Sequence, residues 1–165
     1  MRKREFDSVQ LAFMLEKLKH HLRITACDLD DELMAKLTAA IDSAEHQIGR
    51  VIPLSTITQT IPLSSSSLAL SRPLIGVDGI EVDDTALDVE DVEVDVFAGT
   101  VTLPSDVEGS AVKVTYEAGM EQIPADMVNA ILLIASSLFS NPMDSVETLP
   151  KASTRLLRPY RNYEL

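Results

Sequence analysis

The chain has 165 residues, enough for one domain that buries about two thirds of its unfolded surface, and its 45% hydrophobic content argues against general disorder. A net charge of −12 argues against a general nucleic-acid binder, because phosphate contacts need a basic surface. The single cysteine, Cys27, excludes an intramolecular disulfide framework and points to a reducing compartment.

Charge is unevenly spread. Residues 78–122 hold 13 acids and one base, Lys113, whereas 1–23 hold six bases against three acids. The last 15 residues carry Lys151, Arg155, Arg158 and Arg161 against Glu164. Such a chain suits copies that meet head to tail; a solvated acidic strand face with basic helix ends is the plainer reading. At the start, Arg2, Lys3 and Arg4 lead into Glu5, Asp7 and Gln10 rather than an apolar region, so no signal peptide is read and a soluble cytosolic protein is expected.

Taken in order, residues 1–8 are polar and expected to fray. From Ser8, Leu11, Leu15, Leu18 and Leu22 recur at helical spacing, and the helix is expected to end near Arg23. Asp28 or Asp30 is expected to cap a second helix with the stripe Leu33, Leu37, Ile41, Ala44 and Ile48, running to Gly49 or Arg50. Two amphipathic helices on a short loop predict a hairpin.

Beyond Arg50 the pattern turns to strands. Ile57, Gln59 and Ile61 alternate, Ser64–Ser67 reads as an exposed loop, and Pro73–Val77 and Ile80–Val82 read as short strands around an Asp78-Gly79 turn. Val89–Val96 reads as a half-exposed strand whose acids point outward. Ala98-Gly99 predicts a turn, Thr100–Leu103 pairs back, and Ala111–Tyr116 closes an antiparallel meander of four to six strands.

Pro124–Phe139 is the most apolar run. Proline at the start, Asp126 in the first turn and Asn141-Pro142 as a stop predict a helix of about four turns. Met127, Ile131, Ile134 and Leu138 form one face, and Val128, Leu132, Ala135 and Phe139 a second beside it. The run is short of the roughly 20 residues a bilayer span needs. A helix this apolar needs cover on most sides, so part of it is expected to stay exposed in an isolated subunit or to be covered by the C-terminal segment alone. Pro150 starts a last short helix through Leu157, which Pro159 stops.

No catalytic motif emerges. A Walker loop, the dinucleotide fingerprint and the nucleophile elbow are all absent. His20, His21 and Cys27 lack a fourth ligand and the paired spacing of a zinc site. The acids from Asp83 to Asp95 lack the calcium-loop spacing, and strand alternation already accounts for them. A hydrolase with dispersed carboxylates is not excluded by spacing, but no Trp and 4% aromatics make poor material for a sugar cleft. No enzyme activity, cofactor or metal is expected.

Three segments carry a family resemblance: residues 17–50, residues 112–142 and residues 149–161. They contain Leu22-Arg23, the acidic loop Asp28–Glu32, Tyr116-Glu117-Ala118-Gly119, Pro124, Leu149-Pro150 and Leu156-Leu157-Arg158-Pro159-Tyr160-Arg161. In this order and spacing they resemble the head–tail connector proteins of tailed bacteriophages, the adaptors beneath the portal. The resemblance covers a little over half the chain, and residues 51–111 run longer than in compact members of that family.

What the resemblance implies is a single connector domain over 1–165, with a helical hairpin at 1–50, a β section at 51–117, and the central helix and docking segment at 118–165. The fold class expected is α+β, mainly α, with the antiparallel meander inserted between helices. It implies a virion protein at the head–tail junction, made in the bacterial host cytoplasm and not membrane-bound. Its partners would be itself, in a ring of about twelve copies, the portal protein, and a tail-completion protein, with DNA passing through without sequence-specific binding. Arg155, Leu156, Leu157, Arg158, Pro159, Tyr160 and Arg161 are the portal-docking candidates. Asp88, Glu90, Asp91, Glu93 and Asp95 are the channel-facing candidates. The alternative is an adaptor of a phage or mobile element that binds a protein partner without forming a ring.

Overall fold

The computed structural model describes residues 1–141 and 149–162, which divide into two compact units. One comprises Met1–Asp7 with Pro53–Glu121, the other Ser8–Ile52 with Gln122–Leu165.

The first unit is all β. Its strands are β1 (Arg2–Phe6), β2 (Ser55–Pro62), β3 (Ser67–Ala69), β4 (Leu74–Val82), β5 (Thr85–Leu87), β6 (Glu93–Asp95), β7 (Thr100–Thr102) and β8 (Ala111–Ala118). They form a five-stranded antiparallel sheet in the order β1-β2-β8-β4-β5 and a three-stranded one in the order β3-β7-β6. Strand β8 is the centre of the larger sheet. Val112, Val114, Tyr116 and Ala118 alternate along it, all fully buried, opposite Ile57 on β2 and Ile80 and Val82 on β4. The Tyr116 hydroxyl lies 3.1 Å from both Gln59 Oε1 and Ser71 Oγ, so its polar end is satisfied inside the unit.

Four features differ from the sequence reading. Residues 2–6 are not frayed: they pair with β2 as an edge strand, with Arg4 Nε donating to Ser55 Oγ at 3.0 Å and the Arg4 guanidinium 4.2 Å over the Phe6 ring. Charged side chains are how edge strands resist adding further chains. The two short strands around Asp78-Gly79 are one strand, β4, with register irregularities at Gly76 and Gly79; the glycines mark bulges, not a turn. The real turn is Asp83-Asp84, both at positive φ (46° and 66°), the two-residue geometry that suits β-hairpins. Val89–Val96 is broken: Asp88 Oδ1 accepts from Glu90 N at 3.1 Å and turns Val89–Asp91 into a 3-10 helix, leaving only Glu93–Asp95 extended.

The second unit is all α, with α1 (Ser8–Leu22), α2 (Asp30–Ile48), α3 (Ala125–Ser140) and α4 (Lys151–Leu157), then a 3-10 turn at Arg158–Tyr160. The hairpin forms, but α3 packs on both α1 and α2, and α4 packs on α3 and α2. The stripe Leu33, Leu37, Ile41, Ala44 and Ile48 is buried, and α2 ends at Gly49, at φ 70°, whose N–H returns to Glu45 O. Neither Asp28 nor Asp30 caps α2. Its first flanking residue is Leu29, without a side-chain cap, because Asp30 instead holds the buried ammonium of Lys19 at 2.8 Å. That pairing raises the Lys19 pKa above the usual lysine value.

Six of the eight residues on the two apolar faces of α3 are buried, and Leu138 and Phe139 are half-buried. The helix is therefore covered by α1 and α2 as well as by the C-terminal segment. Pro142, expected as part of its stop, lies outside the described residues. The expectation of a mainly α protein is also overturned: 41% of the described residues are helical and 28% are in strands, because the β section holds seven strands in two sheets and β1 adds an eighth. The class is α+β with neither element dominant. Among the described residues no helix is long and apolar enough to cross a membrane.

Candidate interaction surfaces

The acids singled out on the β unit lie on a continuous stretch of surface. Asp88, Glu90, Asp91, Glu93 and Asp95 are all exposed, while Val92 between them is buried, so the run turns its carboxylates to solvent and its apolar side to the core. Val92 is the one buried residue of the run, Val89 and Val94 are half-buried, and the charge is left in solvent.

The run leads into a hairpin tip. Asp95 Oδ1 accepts from the N–H groups of Phe97 (3.0 Å) and Ala98 (2.9 Å), and Asp95 O accepts from Gly99 N at 2.8 Å. Gly99, at φ 67°, closes the turn. These bonds fix the tip and leave Phe97 96% exposed, with Val96 beside it at 41%. The turn stands at Ala98-Gly99 as the sequence predicts, and nothing in the sequence marks Phe97 for a surface role beyond its place directly before that turn.

A second acidic corner is purely structural. Asp83 Oδ1 and Oδ2 accept from Ser110 Oγ (2.7 Å), Ser110 N (2.9 Å) and Ala111 N (3.0 Å), which holds its carboxyl below the usual aspartate range. The bonds tie the β4–β5 turn to the start of β8.

On the α unit, the C-terminal candidates divide by burial. Leu157 is fully buried and belongs to the core, Leu156 and Tyr160 are half-buried, and Arg155, Arg158, Pro159 and Arg161 are exposed. The segment is anchored at three points: Leu157, the buried Ser153, whose Oγ donates to Pro150 O at 2.7 Å, and Asn162 N, which donates to Ile48 O at the end of α2 (2.7 Å). Its arginines are thus presented from a fixed base.

Helix α1 carries an exposed stripe not anticipated from the leucine periodicity. Val9 (74% exposed) and Phe13 (55%) stand one turn apart, and the Lys17 ammonium lies 4.8 Å over the Phe13 ring. Cys27, after this helix, is exposed, and Lys19 Nζ lies 3.8 Å from its sulfur.

No protein-family model matches the chain, and no curated protein matches it in sequence. Solved structures do match. They include a chain from the neck of an empty gene transfer agent (GTA) particle computed with C6 symmetry (TM-score 0.76, 17% identity) and one from the neck of the native particle computed with C12 symmetry (0.75, 17%). A chain in the virion of the native particle matches at 0.74 and 18% identity. Each comparison covers 100% of this chain and 97% of the other, so the long β section is included. Over its whole length the chain has the fold of proteins in the neck of a gene transfer agent particle, the fold that its resemblance to head–tail connectors leads one to expect.

Proposed function

We propose that this chain is a ring-forming structural subunit of a phage-type particle, placed at the junction where the DNA-filled head meets the tail. The observation that carries this reading is the whole-length likeness, at a TM-score of 0.76, to a chain from a particle neck solved with rotational symmetry. The role is architectural. About twelve copies form the ring, as the C12 neck suggests, with the portal on one side and a tail-completion protein on the other.

A ring of identical copies needs a heterologous contact, in which two different surfaces of one subunit match. The chain offers surfaces of opposite character, acidic along residues 88–95 of the β unit and basic on the C-terminal segment of the α unit. With Asp88, Glu90, Asp91, Glu93 and Asp95 toward the channel, the wall repels phosphates, and the duplex slides without being held or read. Docking to the portal falls to the C-terminal segment, whose exposed Arg155 and Arg158, with Arg161 and Tyr160, are residue types favoured at interfaces.

The test is binding to the portal protein of the same particle. Reversing the two exposed charges, Arg155→Glu with Arg158→Glu, is expected to leave the fold intact and to weaken portal binding by about ten-fold or more. Unchanged binding in a folded variant contradicts the docking assignment.

A further inference from the structure

We infer that the joint between neighbouring copies is made by the β6–β7 hairpin tip of one subunit seating on the α1 stripe of the next, Phe97 and Val96 against Val9 and Phe13. This rests on the ring reading above and names the surfaces that reading requires.

The large exposed hydrophobic residues among the described ones are few: Met1, Val9, Phe13, Ile75, Val96 and Phe97. Met1 is terminal and Ile75 stands alone. The other four form two pairs, one on each unit. An aromatic side chain left 96% in water on a hairpin held by four residues' main-chain and carboxylate bonds is costly to solvate and ready to dock, because its ordering has already been completed. Scattered apolar residues need no explanation, but two matched pairs in a chain whose copies meet head to tail do.

The surroundings of the two pairs are complementary. On the strand that leads into the tip, Glu93 and Asp95 are both exposed. Along the α1 stripe beyond Phe13 come Lys17, then His20 and His21, with Arg23 just past the helix end; Glu16 is the one acid on the exposed side of the helix. A tip with an apolar centre and acidic rim thus meets a stripe with an apolar start and a basic end, the pattern of a dry contact ringed by charge. The opposite pairings are poorer. Tip on tip sets two carboxylates against two, and stripe on stripe sets Lys17 and Arg23 against their own copies. The contact is therefore heterologous, as a ring demands. It moves Glu93 and Asp95 from the channel wall to the rim of the joint, and leaves Asp88, Glu90 and Asp91 on the wall.

Cysteine pairing tests it, in chains that all carry Cys27→Ser. Phe13→Cys and Phe97→Cys are both at exposed positions, so folding is expected to be unchanged, with far-ultraviolet circular dichroism as the check. Under mild oxidation with the portal protein present, each single variant alone is expected to stay uncross-linked. A mixture of the two is expected to give a disulfide-linked dimer. The chain bearing both cysteines is expected to give a ladder of covalent oligomers on a non-reducing gel, lost on reduction. Dimers from Phe97→Cys alone mean tip-to-tip contact and overturn the inference. If the unsubstituted protein forms rings but the double variant gives no ladder, the joint lies elsewhere and the ring reading stands. If neither rings nor ladder form, both readings fall.

Discussion

Replacing Gly119 by alanine is expected to lower the stability of the protein by about 3 kcal/mol, the largest effect expected at any of its six glycines. Gly119 sits at φ 125°, a backbone region that residues with a Cβ rarely enter. A Cβ built there falls 2.3 Å from Pro53 O, 2.7 Å from Pro53 C and 2.8 Å from Leu54 Cα, all main-chain atoms that cannot swing aside. The position is also pinned, since Gly119 N donates to Pro73 O at 2.9 Å and neighbouring Met120 bridges to Pro53. Relief needs movement of the strand that begins β2, against the fully buried Ala118 and Tyr116. Urea denaturation of the two proteins measures the difference. A loss under about 1 kcal/mol means that the 53–54 backbone yields, and contradicts the close approach. The result also gives a physical meaning to the Tyr116–Gly119 motif: Tyr116 and Ala118 fill the sheet core, and Gly119 lets the chain leave β8 against its neighbour.

Truncating Leu157 to alanine is expected to cost about 3 kcal/mol, and the same change at Leu156 about 1 kcal/mol. Leu157 is fully buried beneath α4, whereas Leu156 is half in solvent. The contrast decides how the C-terminal segment is to be probed. Deleting residues 155–165 removes a core side chain together with the arginines, so loss of portal binding on deletion confounds docking with unfolding. The side chains of Arg155 and Arg158 are clear of the core, which is why charge reversal there separates the two. Thermal or urea denaturation of the two leucine variants is the measurement. Equal losses at both positions contradict the burial pattern and free the whole segment for docking.

The helices were legible because their periodicity is strong and local. The stripe of α2, the apolar faces of α3 and the proline-bounded α4 appear where spacing places them, whereas α1 forms over the expected span but buries Met14, Leu18 and Lys19, with Leu11, Leu15 and Leu22 only half-buried. Strand β8 was equally plain, since strict alternation over AVKVTY reports a half-buried strand directly. What sequence did not show was long-range pairing. Strand β1 has no apolar alternation, and it is held by main-chain pairing to β2, 49 to 57 residues away. Nothing in VEDVEVDV announces that the Asp88 carboxylate captures Glu90 N and breaks the strand. Asp78-Gly79 looked like a turn because glycine marks bulges and turns alike.

The surfaces were legible in charge and not in shape. Exposure of Glu93 and Asp95 follows from strand alternation, whereas Asp88, Glu90 and Asp91 are exposed on a 3-10 turn that alternation does not describe. By contrast, Phe97, Val9 and Phe13 are apolar letters that a sequence reading assigns to a core, and only the fold leaves them outside. The apolar face of α3 is covered by its own neighbours except at half-buried Leu138 and Phe139, and the most exposed apolar side chains lie on α1 and the hairpin tip.

The central claim, that the chain is a closed-ring neck subunit, is tested most directly by the mass of the assembly that the purified protein forms with its portal, read by native mass spectrometry or mass photometry. The account predicts one discrete species containing about twelve copies of this chain, with no continuous series of larger ones, because a heterologous contact with the right rotation closes on itself. A single bound copy per portal subunit pair, or an open-ended series of filaments, contradicts it.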